Sequence, residues 1–436
     1  MSGKPFHIGW FLHGSSAQSW GQPWTGHIGT SWMYPELFLD MARALERACF
    51  DYILLEDSTA VSESLHGSSE VFLRRGIAVP RQDKAIVAAL MTQVTSHIGI
   101  IPTFGTYAYH PYLLARQIAT LDQVSGGRIG WNVVTGSSDL AAMNFGMDSL
   151  PEHDHRYDMA DEYIEACRGL WASWDVDAVV ADRERGVLVD ASKVHAYEFR
   201  GKHYRTRGPL NAGPPPQGQP VIAQAGGSSR GRRFAAKHSE TIVAQVKTVE
   251  AMKAYRDDVR RHMVEQGRDP DSCKVMFTLH PILGDTLEDA EQRQERRLAW
   301  VRENIEERLA GFAKVINVNF DQFDLDKPLP EDVTTNGHQQ LLADYRTYAA
   351  GRSIRETMST YDLGLPELSG TADSIAARMG EMMEEIGGDG FLISMPNVTR
   401  RTLAEIEDGL VPALQDRGLM RRAYEHKHLR DNLLQF

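Results

Sequence analysis

The sequence predicts an α/β protein, a (β/α)8 TIM barrel in which eight buried parallel strands alternate with helices. Three observations carry this reading. Short apolar runs rich in β-branched and aromatic residues recur along the 436-residue chain. They lack the in–out alternation of a strand with one wet face, so they read as strands buried on both faces. A stretch with apolar residues at helical spacing follows nearly every run, which is the rhythm of a parallel sheet. The strand count reaches eight, the number that closes a barrel, and elaborated barrels can exceed about 400 residues. An open doubly wound sheet is the runner-up.

Taken in order, the first strand is His7–Leu12, followed by a Gly-, Ser- and Trp-rich loop and a helix from about Pro35 to Cys49. Tyr52–Leu55 is the second strand, ending at Glu56-Asp57-Ser58, and a helix near Asp83–Val94 comes after a long connection. Ile98–Thr103 is the third, with its helix at Pro111–Val124. The fourth is the charge-free Ile129–Thr135, entered through Ser125-Gly126-Gly127-Arg128, where glycine supplies a turn with positive φ. A strong helix at Arg156–Trp171 follows it. Val221–Gly226, Thr241–Val246, Lys274–Leu283 and Phe391–Met395 complete the set, with helices at Val249–Gln266, Thr286–Leu309 and Thr402–Leu414. Two stretches break the rhythm, about 174–220 and about 310–366. Both read as insertions on one barrel domain spanning 1–436.

Composition narrows the function. With 42% hydrophobic and 24% charged residues the chain is a folded rather than a disordered one. Its 47 Lys and Arg against 59 Asp and Glu give a net charge of −12, which argues against a sequence-independent nucleic-acid binder or an anionic-membrane binder. Cys49, Cys167 and Cys273 form no C-x-x-C pair, so neither a disulfide framework nor a thiolate metal site is expected. With no apolar signal region and no run of about 18 apolar residues, the expectation is a cytoplasmic protein.

A barrel keeps its site at the carboxyl ends of its strands. The polar residues there are His13 and Ser15, Asp57, Thr103, Asn132 with Thr135 and Ser137, and Gln224 with Gly226-Gly227-Ser228-Ser229. A buried Asn132 must find partners or cost about 1–3 kcal/mol; neighbouring backbone or a ligand would both serve. Neither G-x-S-x-G nor H-E-x-x-H occurs. His153 and His155 do not share a helix face, so no metal is expected, and Asp154 reads as a helix N-cap. The exit Ala225-Gly226-Gly227-Ser228-Ser229-Arg230 is sharper. Its glycines allow close backbone approach, a helix start offers free N–H groups, and Ser228, Ser229 and Arg230 add donors. That equipment suits a phosphate, and it equally suits an ordinary Ser cap with surface arginines. Without a G-x-G-x-x-G turn or a P-loop, a phosphorylated cofactor here would be FMN rather than NAD.

The segments SGGRIGWNVVTG (125–136), EHDHRYDMADEY (152–163) and VIAQAGGSSRGRRFAAKHSE (221–240) occur in this order. With FDYILLED (50–57), TYAYHPY (106–112), KVHAYEFRGKHY (193–204) and LVPALQDRGLMRRAY (410–424), they span most of the chain. Together they resemble the flavin-dependent monooxygenases of the bacterial luciferase-like superfamily. The nearest branch is that of nitrilotriacetate monooxygenase component A, dibenzothiophene-sulfone monooxygenase and long-chain alkane monooxygenase.

The resemblance implies a (β/α)8 barrel using FMNH2 and O2, an NAD(P)H-dependent flavin reductase that supplies the FMNH2, and a homodimer or homotetramer. It implies that Tyr157 and the Gly227–Ser228 turn hold the FMN phosphate, with Ser137, Ala225 and Gly226 also in the cofactor site. Asp57 and Thr103 would lie along the ring and Asn132 near its reactive edge. Thr103 and Asn132 would be catalytic, stabilising charge on O2 or a flavin peroxide. The expected reaction oxygenates, and cleaves, a small cyclic or heteroatom-containing molecule. Rivals are degradation of an aromatic heterocycle such as a flavin, a non-catalytic flavin-binding protein, and a deazaflavin-dependent relative. His13, Ser15 and Trp20 are substrate candidates; His13 would also serve as a structural histidine, and Trp20, Trp24 and Trp32 as loop packing. The chain departs from such relatives in its first loop, and Gly136-Ser137 stands where some carry a histidine.

Overall fold

The apolar runs form the strands the sequence predicts, because a strand buried on both faces has to be apolar throughout. The structure, a computed structural model, describes residues 4–13, 34–361, 366–396 and 398–436. The first strands are β1 (His7–Leu12), β2 (Tyr52–Leu55), β3 (Gly99–Gly105) and β4 (Gly130–Val134). Two small antiparallel ribbons follow, β5 (Val179–Asp182) with β6 (Val187–Val189) and β7 (Phe199–Arg200) with β8 (Arg205–Thr206). They occupy the first expected insertion. Then come β9 (Val221–Gln224), β10 (Thr241–Ala244), β11 (Lys274–Leu283), β12 (Glu367–Gly370) and β13 (Gly390–Ser394). Strands β1, β2, β3, β4, β9, β10, β11 and β13 pair in parallel in that order, and β13 returns to β1 to close the barrel.

Two elements differ from expectation. Strand β12 was not anticipated. It pairs with the upper half of β11 (His280↔Glu367 to Leu283↔Gly370), whereas the lower half pairs with β13. β11 therefore forks away from the barrel as it rises. The helix expected over Thr286–Leu309 is two helices, Leu287–Glu303 and Ile305–Ile316. The break is at Asn304, whose Nδ2 donates to the Trp300 carbonyl at 2.8 Å, a local bond that competes with the helix ladder. In the second insertion, the helices Ile305–Ile316, Gln339–Ala349 and Ile354–Met358 share their own core. Phe312, Tyr345 and Tyr361 meet there, packed with Leu65, Val71 and Phe72 from the connection after β2.

The barrel lumen is filled by Phe11, Tyr52, Leu54, Ile101, Val221, Ala223, Val243, Met276 and Leu392. Leu429 and Leu433 of a short helix after the barrel join them, closing the amino-terminal end. Gly99 makes room for this plug, since a Cβ there would lie 2.3 Å from Leu429 Cδ1. Beneath the barrel, Asp51 accepts from His7 Nδ1 (2.8 Å), Arg421 Nη2 (2.7 Å) and the Ile8 amide (2.9 Å). Among the described residues, no helix is long and apolar enough to cross a membrane.

Burial alone would push the Asp51 carboxyl up, but His7 and Arg421, with the hydrogen bonds from His7 and Ile8, hold it below the usual range. A depressed native value means stability that is present above the unfolded-state value of about 4 and lost as pH falls through the native one. Asp51→Asn is expected to cost about 3–5 kcal/mol at pH 7, because it leaves Arg421 buried without its counter-charge. Urea unfolding should show the gap to the parent protein closing as pH drops below about 4.

Candidate active site

At the carboxyl ends of the strands the lumen turns polar. Register places Thr103 of β3 beside Asn132 of β4. Asn132 Nδ2 donates to Thr103 Oγ1 at 2.8 Å, and the residues are only 3% and 4% exposed. Asn132 Oδ1 is buried without a partner. An orphaned amide oxygen costs about 1–3 kcal/mol, so it is an acceptor held ready for a donor. Thr103 Oγ1, having accepted from Asn132, keeps its own proton to donate. Neighbouring backbone therefore does not satisfy Asn132.

The second feature is the turn after β9. The Gly226 carbonyl accepts from Tyr255 Oη (2.6 Å) and that of Gly227 from Arg232 Nη1 (2.6 Å), so both oxygens are tied back. Ser228 is the N-cap of the helix Ser229–His238, its Oγ accepting from the Gly231 amide at 3.0 Å. Earlier first-turn N–H groups have no intrahelical acceptor, and the helix dipole adds positive potential. Gln224 Nε2 reaches the Tyr157 hydroxyl at 3.4 Å, while Oε1, buried without a partner, is 2.5 Å from where a Gly226 Cβ would stand. Desolvation pushes the Tyr157 phenol up, so it stays protonated and can donate. This is a cradle for an anion. Ala225 packs against the lumen core, and Ser137 is half-buried beyond β4.

Asp57 lies after β2. Burial pushes its carboxyl up to about 6, against the pull of Lys84 and Arg81. Lys84 is itself 4% exposed, and Arg81 Nη1 bonds Glu56 at 2.6 Å. Lys314, from the second insertion, feels the same charges, and burial pushes it down to about 8. His13 meets Ser394 at 2.9 Å, which joins the ends of β1 and β13. Ser15, Trp20, Trp24 and Trp32 lie outside the described residues.

Two expectations are corrected. Arg230 is not a free donor: its Nη2 is committed to Asp158 (2.9 Å) and Asp161 (2.6 Å), with its guanidinium 5.5 Å over the Tyr157 ring. Asp154 is not the cap of the helix that carries Tyr157. Glu152 caps it, accepting from the His155 amide, and Asp154 sits within the first turn, on His153 Nδ1 at 2.7 Å. Sequence reasoning also passed over Lys84, Arg156, Lys314, Asn336, His338 and Gln340. A lysine within the otherwise apolar Lys84–Thr92 helix was the one local signal.

Comparison with known proteins identifies the family. The family model described as luciferase-like monooxygenase matches residues 9–390. The chain is 35% identical to a dibenzothiophene-sulfone monooxygenase of Rhodococcus erythropolis (strain XP), covering 99% of this chain and 96% of that one. It is 32% identical to nitrilotriacetate monooxygenase component A of Aminobacter aminovorans, over 93% of each. Among solved structures, a riboflavin lyase with modified FMN and riboflavin superimposes with a TM-score of 0.90 at 28% identity, covering 99% of this chain and 96% of that one. An apolar barrel with a polar mouth, matched over nearly its whole length, places the chain in the luciferase-like monooxygenase family of flavin-dependent oxidoreductases.

Proposed function

We propose that the chain is the oxygenating component of a two-component system. It takes FMNH2 from a separate NAD(P)H-dependent flavin reductase and uses O2 to oxygenate, and cleave, a small cyclic or heteroatom-containing molecule. One observation carries this: the buried Asn132–Thr103 pair, with an acceptor and a donor left over at the floor of the mouth. Binding flavin would use the leftover acceptor, whereas the leftover Thr103 donor suits oxygen, which a protein that only stored flavin would not need to hold. The relative named for component A supports the reductase partner, and that named for a sulfone supports the substrate class. The likeness to a riboflavin lyase favours one variant, in which the substrate is an aromatic heterocycle such as a flavin. Self-association as a homodimer or homotetramer belongs to the same proposal.

The residues present fit FMN. Tyr157, Gly226, Gly227 and Ser228 form the anion cradle; Asp57, Thr103, Asn132, Ser137 and Ala225 line the way from there across the mouth. Bound reduced FMN supplies the electrons that activate O2. The chain's part is to position and to exclude. Asn132 Oδ1 would be free to accept from a donor on the bound group, and the Thr103 hydroxyl, oriented by Asn132, would be free to donate to oxygen as charge develops on it. Asp57, its carboxyl pushed up to about 6 by burial, would hold or release a proton there. The apolar lumen below keeps water from the reacting face. His13, fixed on Ser394, with Ser15 and Trp20, would meet the substrate from the β1 side.

Stopped-flow mixing of the protein with anaerobic FMNH2 and then O2 is the direct test. A transient absorbance distinct from free reduced and oxidised FMN is expected. A trace identical to that of free FMNH2 would point to a flavin-binding protein instead. Thr103→Val should lower the yield of that transient about 10²–10³-fold, the scale of losing one oxyanion donor, and Asn132→Leu, which removes the partner that orients Thr103, should lower it as well. FMN affinity, read by fluorescence quenching, should change less than about threefold. Affinity falling in step with the transient would assign the pair to binding.

A further inference from the structure

The second insertion does more than elaborate the barrel, because it reaches the turn after β9. A Cβ at Gly227 would lie 2.9 Å from Gln340 Cβ and 3.9 Å from His338 Cε1. His338 is the N-cap residue of the helix Gln339–Ala349 and makes no side-chain cap bond. Two helix starts, at Ser229 and at Gln339, therefore converge on one glycine.

The approach is built. Arg156, 4% exposed, donates from Nη1 to Asn336 Oδ1 (2.9 Å) and from Nη2 to the Asn336 carbonyl (2.8 Å). The same guanidinium donates to the carbonyls of Pro151 (2.6 Å) and Gly136 (3.2 Å). Asn336 returns a bond to the Pro151 carbonyl at 3.2 Å, and the Gly337 amide bonds Thr335 Oγ1 at 2.7 Å. This strap fixes the residue that follows it. His338 Nδ1 is sealed from solvent and has no hydrogen-bond partner. Across the turn, Gln224, 4% exposed, holds a second unpartnered atom, Oε1. The imidazole nitrogen beside the paired helix starts carries a desolvation cost that an acceptor such as a phosphate oxygen would relieve, whereas Gln224 Oε1, itself an acceptor, awaits a donor. Burial, with His153 nearby, holds the imidazole below the usual histidine range, so at neutral pH it offers a ring N–H without bringing a buried charge.

We infer that His338 reads the phosphate of the flavin, so that the insertion gives this barrel its preference for the mononucleotide over phosphate-free riboflavin. The inference rests on the FMN reading above. Its occupant is a phosphomonoester held between the Gly227–Ser228 amides, Tyr157 and His338.

The test compares FMN and riboflavin dissociation constants, read by flavin fluorescence, for the parent protein, His338→Leu and His338→Asn, with thermal melts as the fold control. The parent should bind FMN at least about tenfold more tightly than riboflavin. His338→Leu should lose about tenfold in FMN affinity and leave riboflavin unchanged, whereas His338→Asn, which keeps an N–H near the place of Nδ1, should retain most of the preference. Equal weakening of both ligands, or a full preference in the Leu variant, would overturn the role of His338 while leaving the FMN reading intact. A parent protein that binds the two flavins equally, or neither, would overturn both. If the Leu variant fails to melt cooperatively, the Asn variant decides: a lost preference in a folded protein refutes the Nδ1 contact.

Discussion

A closed barrel of eight parallel strands encloses a lumen that has to be filled, and everything else in this molecule follows from how it is filled. Close packing leaves interiors few voids, and here apolar side chains occupy the lower layers while Leu429 and Leu433 seal the bottom. Only the upper layer is spared. There Thr103, Asn132, Thr278 and Ser394 replace the aliphatic residues below, all of them nearly inaccessible. The hydroxyl of Thr278 turns to the Ala244 carbonyl and that of Ser394 to His13. Asn132 alone among them keeps a buried side-chain atom unpaired. Reactivity is thus confined to one rim by the same packing that stabilises the fold.

Around that rim the charges are arranged unevenly. The β9 side offers amides, a phenol and a neutral imidazole, which suit an anion without a buried counter-charge. The β2 side carries Glu56, Asp57, Arg81, Lys84 and Lys314, where burial pushes the Asp57 carboxyl up to about 6 and the Lys314 ammonium down to about 8. Groups of opposite type titrating so close to neutrality are what proton management requires. Both sides take a contribution from the second insertion, Lys314 on one and His338 on the other.

Much of this was legible in the sequence, for a physical reason. A doubly buried strand leaves a continuous apolar run, so His7–Leu12, Tyr52–Leu55 and Lys274–Leu283 could be bounded to the residue. Polar residues interrupting such runs, Thr103 and Asn132 above all, stood out because a barrel core does not tolerate them without cause. Strand β12 left no comparable trace: Glu367-Leu368-Ser369-Gly370 is short, partly exposed and rich in turn formers. Arg156 and Asn336 are 180 residues apart, and no local pattern announces such a bond. Arg230 read as a phosphate ligand from its place in the motif, yet Asp158 and Asp161 one helix away claim it, and that competition is settled only by packing.

The plug beneath the barrel has a consequence for how the chain comes to be folded. Leu429 and Leu433 pack among residues of β1 and β2 that lie far from them in sequence, and Arg421 is the equally distant partner of Asp51. Until residues 421–433 dock, the strands can assemble only around an open apolar tube, with the Asp51 carboxylate lacking its arginine. Such non-local closure is slow and leaves greasy surface exposed. Docking of the plug is therefore the step that converts a leaky ring of strands into a sealed one.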